Sequence, residues 1–303
     1  MFSVVSSFKN ENKNCNDFFD IISKSKEYLN INEVIVVDNG STDNTVDLAK
    51  KGGAIVLHQP FRGKGNALRL GFSKIDADIY LVIDGDDTYD PANSPQLVER
   101  MNTEEIDVLV GRRVSQSSNA YPAGHKLGNL FFNYVFKFLF GGNFKDIFSG
   151  YRLVTRRFAK SFPITSSGFE IETEMSVHAI ILGLNVEEVD TPYHERIEGS
   201  NSKLKTLRDG FRISLVMLYL VQKNKPLIVY GFLSFLFLSV ALWFGIPVVT
   251  EYFATGLVPR FPSLIVAITF LILSGLALFT ALITQFILNM QNENRRLAYL
   301  MAK

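Results

Sequence analysis

Hydrophobic positions along the chain fall into two regimes. Through the first two thirds they come as short runs rich in Val, Ile and Leu, at 2–6, 33–37, 54–57, 79–83 and 107–110. Helix-like stretches at 44–51, 64–74 and 93–102 lie between them. Continuous apolar strands separated by helices predict an α/β head whose mostly parallel sheet is covered on both faces. In such sheets ligands bind beyond the carboxyl ends of the strands. The last third differs: 227–249 and 263–288 contain no charged residue at all. A hydrocarbon core of about 30 Å needs about 20 helical residues, so each stretch is long enough to span it.

The flanks of these stretches predict an orientation. Lys223 and Lys225 precede the first, and Arg295, Arg296 and Lys303 follow the second, whereas the connector 250–262 carries only Glu251 and Arg260. Basic flanks on the cytoplasmic side put the connector outside and both termini, with the head, in the cytoplasm. Trp243, Tyr252, Phe253 and Phe261 fall where an interfacial aromatic belt is expected. The apolar stretch after Met1 is too short for a signal peptide and lacks a basic lead, which agrees with a cytoplasmic head in an inner-membrane, multi-pass protein. Segment 204–221 is charged in its first half and apolar in its second, as suits an interfacial helix entering the first span. Residues 130–140 (LFFNYVFKFLF) suit either the interface or a buried core. The expected organisation is a head at 1–203, an amphipathic helix at 204–224, a hairpin at 225–290 and a tail at 291–303.

Composition removes several alternatives. With 31 Lys+Arg against 30 Asp+Glu the formal charge is +1, which argues against a nucleic-acid binder held by a broad basic field. Cys15 stands alone, so neither an intrachain disulfide nor a cysteine-cluster zinc site is available.

Chemistry-bearing residues gather at the ends of the expected strands. The run 33–37 leads into Asp38-Asn39-Gly40-Ser41-Thr42-Asp43. Asp43 suits the cap of the next helix, while Asp38 can accept hydrogen bonds from a base or a ribose, with Gly40 permitting the turn. The run 79–83 leads into Asp84-Gly85-Asp86-Asp87. Alternation along an extended strand puts Asp84 and Asp86 on one face. A divalent cation bridging them to a diphosphate would relieve their repulsion, and Mg²⁺ and Mn²⁺ favour such hard oxygen ligands; the plainer reading is an acidic turn. Gly63-Lys64-Gly65 is not a phosphate-binding P-loop, because position 58 is His where the motif has Gly. Lys64 either reaches a nucleotide phosphate or merely opens a helix. Arg112-Arg113, at an expected strand end, then Arg152, Arg196, Lys203 and Lys205 recur in a nearly neutral chain and suggest anionic ligands; the last two also suit lipid headgroups.

In order and spacing, Asn10-Glu11, Val37 to Ser41, Gly63-Lys64-Gly65, Asp84-Gly85-Asp86, Gly111-Arg112-Arg113, Asp146 with Ser149-Gly150-Tyr151-Arg152, Gly168-Phe169-Glu170 and Gly199-Ser200 with Ser202-Lys203-Leu204 form one set. That set, over residues 2–215, resembles glycosyltransferases of family 2 with the Rossmann-like GT-A fold. Within the family it is similar to polyprenyl-phosphate sugar transferases, such as the dolichol-phosphate-mannose synthases and bacterial relatives anchored by two spans. The resemblance implies that Glu11, Asp38, Gly40 and Lys64 hold the donor nucleotide sugar, linked to UDP or GDP. It implies that Asp84 places ribose and diphosphate, that Asp86 binds Mg²⁺ or Mn²⁺, and that Asp146 lies near sugar or acceptor. Arg112 and Arg152 would act on phosphates in the catalytic centre, and Arg113, Arg196, Ser200, Lys203 and Lys205 would receive the acceptor phosphate. The implied partner is a polyprenyl phosphate, the implied reaction inverting, and the implied assembly a homo-oligomer. The sequence departs from the family pattern at Ser7, where Pro is usual, at Gly85, where Ala is frequent, and at Thr88, where Gln is frequent.

Three rivals share parts of this pattern. Processive polysaccharide synthases carry a Q-x-x-R-W motif, whereas the single Trp here, Trp243, sits inside a span. A non-catalytic scaffold with a degenerate head is opposed by the intact Asp84 and Asp86. A transferase for a soluble acceptor would release a product that stays in water.

Overall fold

The structure, a computed structural model, describes residues 2–8, 34–85, 88–115, 123–168, 170–194 and 206–302. Strands β1 (Phe2–Phe8), β2 (Val34–Asp38), β3 (Ile55–His58), β4 (Ile79–Val82), β5 (Val108–Ser115), β6 (Arg152–Thr155) and β7 (Val186–Tyr193) form one sheet in the order β3-β2-β1-β4-β6-β5-β7. The pairs β1–β2, β1–β4, β2–β3 and β5–β7 are parallel. Only β6 runs the other way, wedged antiparallel between β4 and β5. The carboxyl ends of β1, β2, β4 and β5 therefore share one edge of the sheet.

Every residue of β2 (VIVVD) and β4 (IYLV) is buried, as a sheet covered on both faces requires. One face packs Val34, Val36, Leu81, Leu109 and Leu153 against Leu97 and Met101 of a helix at Ser94–Thr103. The helix α1 (Thr45–Lys51) follows β2, and α2 (Lys64–Lys74) packs on β1 and β2 with Leu68 and Phe72 buried. The Ser94–Thr103 helix is α3; α4 (Ala123–Phe140), α5 (Arg156–Ser161) and α6 (Ile171–Leu182) complete the head. The N-cap of α1 is Asn44 rather than the expected Asp43, which stands one residue earlier and accepts at Oδ1 from the Thr45 main-chain N–H at 3.1 Å.

The chain divides into two compact units, residues 1–213 with 294–303, and residues 214–293. A helix α7 (Thr206–Asn224) leads to α8 (Pro226–Thr255) and α9 (Phe261–Met301). At about 1.5 Å per residue, the 30 residues of α8 and the 41 of α9 are each long enough to cross a bilayer, and their apolar windows suit one. Buried positions recur every seven residues: Ser234, Ala241 and Val248 on α8, and Ala267, Ser274, Ala281 and Leu288 on α9. A seven-residue repeat keeps one narrow seam between two helices, and small residues let their backbones approach. Ser234 Oγ donates to the Ser274 carbonyl at 3.0 Å, and Ser274 Oγ returns the bond to the Ser234 carbonyl at 2.9 Å. Large side chains such as Phe232, Trp243, Phe279 and Phe286 point outward.

The expected tail 291–303 is no separate piece. Residues up to Met301 continue α9, and residues 294–303 belong to the head's unit. There Tyr299 Oη donates to Asp107 Oδ1 at 2.5 Å, and the Arg157 guanidinium lies over its ring at 5.0 Å.

Candidate active site

The strand edge assembles three charged side chains from three distant segments. Asp84 lies just past β4 and remains partly open to solvent. Lys64, the first residue of α2, puts Nζ 2.5 Å from Asp84 Oδ1, and it also pairs with Glu172 Oε1 in the first turn of α6. Lys64 and Glu172 are both buried, and Glu172 Oε2 is buried with no hydrogen-bond partner. Burial works against the lysine's charge, but the Asp84 and Glu172 carboxylates outweigh it and hold the ammonium protonated beyond its usual range. The Glu172 carboxyl is pushed up, by burial first and by Asp84 as well, with Lys64 pulling the other way.

Glycine is required where the backbone closes on this group. A Cβ on Gly150 would collide with the Asp84 carboxylate and with Lys64 Nζ. Gly63 takes φ of +126°, and a Cβ there or on Gly65 would run into the main chain of Ser166 and Ser167. The loop is held against α2 by a bond from the Gly65 N–H to the Ser167 carbonyl at 3.1 Å. Asn39 ties in the β2 turn, accepting from the Gly63 N–H at 2.5 Å and donating to the Phe61 carbonyl at 3.0 Å.

Asp38 is buried behind this turn. Its Oδ1 accepts from the Ser41 N–H at 3.0 Å and its Oδ2 lies 2.9 Å from His58 Nδ1. Burial opposes its charge, yet the bonds from Ser41 and His58 prevail and keep the carboxyl below the ordinary range. Gly40, at φ +80°, makes the turn the sequence suggests.

A second centre lies on the loop before β6. Arg113 grips Asp146 with two bonds of 2.7 Å, and its main-chain N–H adds a third at 3.2 Å. Glu188 of β7 accepts from the N–H groups of Lys145 and Asp146, and Asn133 of α4 accepts from that of Ile147. Tyr89 Oη accepts from the Gly150 N–H at 2.9 Å, so the Asp146 loop and Asp84 are fixed within one framework.

Two expected roles are corrected by this arrangement. Arg152 does not reach toward a phosphate: its guanidinium is inaccessible and donates to the carbonyls of Ile147 and Ser149 and to Ser176 Oγ. It braces the loop from inside. Arg112 and Arg113 are not at a strand end but within the longer β5, where neighbours face opposite sides. Arg113 therefore meets Asp146, while Arg112 forms two bonds of 2.5 and 2.6 Å with Asp190 on β7, away from that loop. Glu11, Asp86, Arg196, Ser200, Lys203 and Lys205 lie outside the described residues. Sequence reasoning missed Glu188, Tyr89 and Asn133, and singled out Glu172 only within the stretch 168–172, without a role. Acids in the first turn of a helix are explained by its dipole, so Glu172 carried no separate signal; charged residues inside the VEEVDTPY strand were the one visible clue to Glu188.

Comparison with known proteins decides the family. Residues 3–162, more than half the chain, match the model of glycosyl transferase family 2. The chain belongs to that family. This glycosyltransferase is 35% identical over 235 residues to glycosyltransferase AglJ of Haloferax volcanii, with 77% of each chain covered. It is 30% identical over 181 residues to the dolichyl-phosphate hexose transferase of the same archaeon, covering 60% of this chain and 77% of that one. Among solved structures, glucosyl-3-phosphoglycerate synthase of Mycobacterium tuberculosis with Mn²⁺, UDP and phosphoglyceric acid matches with a TM-score of 0.58 and 25% identity, over 72% of this chain and 78% of that one. The fold is thus GT-A-like, and the sheet edge that carries Asp84 is its candidate active site.

Residues here fit a divalent cation. Asp84 and Glu172 share the Lys64 ammonium, Glu172 also feels the buried Arg152 guanidinium, and the Glu172 Oε2 has no hydrogen-bond partner. Among the described residues no three acidic, His or Cys side chains converge as a complete metal cage. Mg²⁺ and Mn²⁺ do not need one, since they take one or two carboxylates and fill the rest with water and phosphate oxygens.

Proposed function

We propose that this glycosyltransferase moves a hexose from a UDP- or GDP-linked donor to a polyprenyl phosphate at a membrane, inverting the anomeric carbon. The observation that carries the reading is Asp84 at the carboxyl edge of β4, partly open to solvent and flanked by a buried ammonium. Asp84 and Asp86 would hold a Mg²⁺ or Mn²⁺ ion, which supplies charge neutralisation for the diphosphate leaving group. The relatives support both halves of the substrate pair: one is named for dolichyl phosphate, and the structural neighbour holds Mn²⁺ and UDP. Lys64 would face the diphosphate, Glu11 and Asp38 the nucleoside, and Arg196, Ser200, Lys203 and Lys205 the lipid phosphate. A phosphate monoester with its second pKa near ~6 is largely dianionic at neutral pH, so the acceptor needs no strong general base. What the site must do is bring two anions together in a partly dry cleft.

Delivery of that acceptor accounts for the apolar surfaces. Helices α8 and α9 would cross the bilayer with the head and both termini in the cytoplasm. In the head, residues 130–140 lie on α4. Phe132, Phe136 and Phe140 are buried, while Leu130, Phe131, Tyr134 and Phe138 form an exposed apolar stripe suited to the membrane interface.

The test is transfer by the full chain in lipid nanodiscs, from a panel of labelled UDP- and GDP-sugars to polyprenyl phosphate with Mn²⁺. Label is expected in the organic phase, and Asp84→Asn and Asp86→Ala are each expected to lower its rate at least ~100-fold, the scale of losing one electrostatic stabiliser. Near-normal transfer by either variant, or product confined to the aqueous phase, would overturn the reading.

A further inference from the structure

We propose that Glu172 is a positioning residue that shares the charge of Lys64 and so leaves Asp84 available to a divalent cation; the inference rests on the cation reading above. The Lys64 ammonium is buried and lies 2.5 Å from Asp84 Oδ1. A lysine bound to Asp84 alone in such a place would compete with any cation for the same oxygen, because Coulomb attraction strengthens as water is excluded. Glu172 changes that balance. It pairs with the same Nζ from the opposite segment, so the ammonium is divided between two carboxylates.

With both carboxylates ionised, the trio Asp84, Glu172 and Lys64 carries −1, and without the charge of Glu172 it carries zero; the buried Arg152 guanidinium acts on Glu172 in both cases. The buried Glu172 Oε2, which has no hydrogen-bond partner, is what a purely structural ion pair leaves unexplained, since buried ion pairs are normally completed by further bonds.

The structure also fixes Glu172 in place. It stands in the first turn of α6, whose neighbour Glu174 accepts from the main-chain N–H groups of Thr165 and Ser166. That loop lies directly on Gly63 and Gly65, either side of Lys64. Glu172 and Lys64 are therefore held by one continuous stretch of packing, while Asp84 alone of the three opens to solvent.

Mn²⁺ binding to the full chain in nanodiscs, measured in the presence of UDP by the spin signal of free Mn²⁺, reads this without catalysis. Glu172→Gln keeps shape and hydrogen bonding but removes the charge, and is expected to weaken Mn²⁺ about tenfold, with transfer recovering as Mn²⁺ is raised. Adding Lys64→Met to Glu172→Gln returns the sum to −1 and is expected to restore Mn²⁺ affinity, although not donor affinity. Lys64→Met alone is expected to tighten Mn²⁺, and Glu172→Asp to stay within about twofold of the parent. Unchanged Mn²⁺ affinity in Glu172→Gln, loss that Lys64→Met does not reverse, or equal loss in Glu172→Asp would overturn the proposal. Asp84→Asn is the reference: if it loses Mn²⁺ while Glu172→Gln does not, the proposal alone fails. If Asp84→Asn binds Mn²⁺ like the parent, the cation reading fails and takes the proposal with it. Should Glu172→Gln not fold, Lys64→Met alone decides, and failure to tighten Mn²⁺ overturns the proposal.

Discussion

Among the buried residues of the head are Val37, Val110, Leu109 and Leu153, whereas those of the helix pair α8–α9 include Ser234, Ala241, Ser274 and Ala281. The exposed surfaces are reversed as well. Large apolar side chains cover the outside of α8 and α9, at Phe232, Trp243, Phe279 and Phe286. The head buries charged side chains at Asp38, Lys64, Asp146, Arg152 and Glu172 on the side of the candidate site, and also at Asp107 and Glu174. One chemistry in two media accounts for the contrast if α8 and α9 lie in a bilayer. In water, burying large apolar side chains drives folding, and a buried charge persists only where partners compensate it. Two helices in lipid would have no such drive, and close approach of small residues with reciprocal hydroxyl bonds would hold their seam.

The largest effect is expected where the outer face of the pair is tested for contact with lipid. Leu276 is 57% exposed and mid-span on α9, so Leu276→Asp places a carboxylate on that face. If the face meets hydrocarbon, the substitution costs about 2.5–3.5 kcal/mol of insertion and membrane-inserted protein falls sharply. Equal insertion of variant and parent would mean that this face lies in water, and the contrast between the regions would collapse.

A buried titratable group sharpens the head's side of the comparison. His178 on α6 lies between Phe158 and Phe162, with Nε2 3.2 Å from Ser161 Oγ. Burial, aided by the Arg295 charge and opposed by Glu174, lowers its pKa from 6.5 to about 3. The neutral ring is favoured in the folded state, so its contribution is complete above pH 6.5 and declines as pH falls toward 3. At pH 5 the loss amounts to roughly 2 kcal/mol. The drop in apparent melting temperature between pH 7 and pH 5 is expected to shrink in His178→Gln, and an unchanged drop would place the acid sensitivity elsewhere.

The smallest effect concerns the seam. Ser274→Ala removes one of the reciprocal bonds to Ser234 and is expected to destabilise the pair by only about 0.6 kcal/mol, because the separated helices find other partners in lipid. Reversible unfolding in mild detergent checks this. A loss of several kcal/mol would show that the hydroxyl pair, rather than small-residue packing, holds the seam.

Strands and helices with strong periodic signals were legible to within a residue or two: 33–37 became Val34–Asp38, and 64–74 is the helix Lys64–Lys74. The strand expected at 107–110 was too short, because Gly111-Arg112-Arg113 breaks the apolar run while β7 still pairs with it as far as Ser115. That extension separated the two arginines onto opposite faces. Strand β6 carried no signal of direction in its four residues, and its antiparallel place follows from the loop that Arg152 braces. At the site, Asp84 and Lys64 were legible because each stands beside a glycine at a strand end or helix start. Glu172 was not, since its role exists only through a lysine 108 positions earlier.

The amino-acid sequence alone determined the two long apolar stretches, the order of the elements from β1 to β5 and the carboxylates that follow β4, since these depend on local runs of apolar, glycine and carboxylate residues. Tertiary structure decided which charges meet. Arg113 rather than Arg112 holds Asp146, Arg152 turns inward, and Glu172 joins Lys64, because pairing across strands and the low dielectric of a closed loop act between residues far apart in the chain.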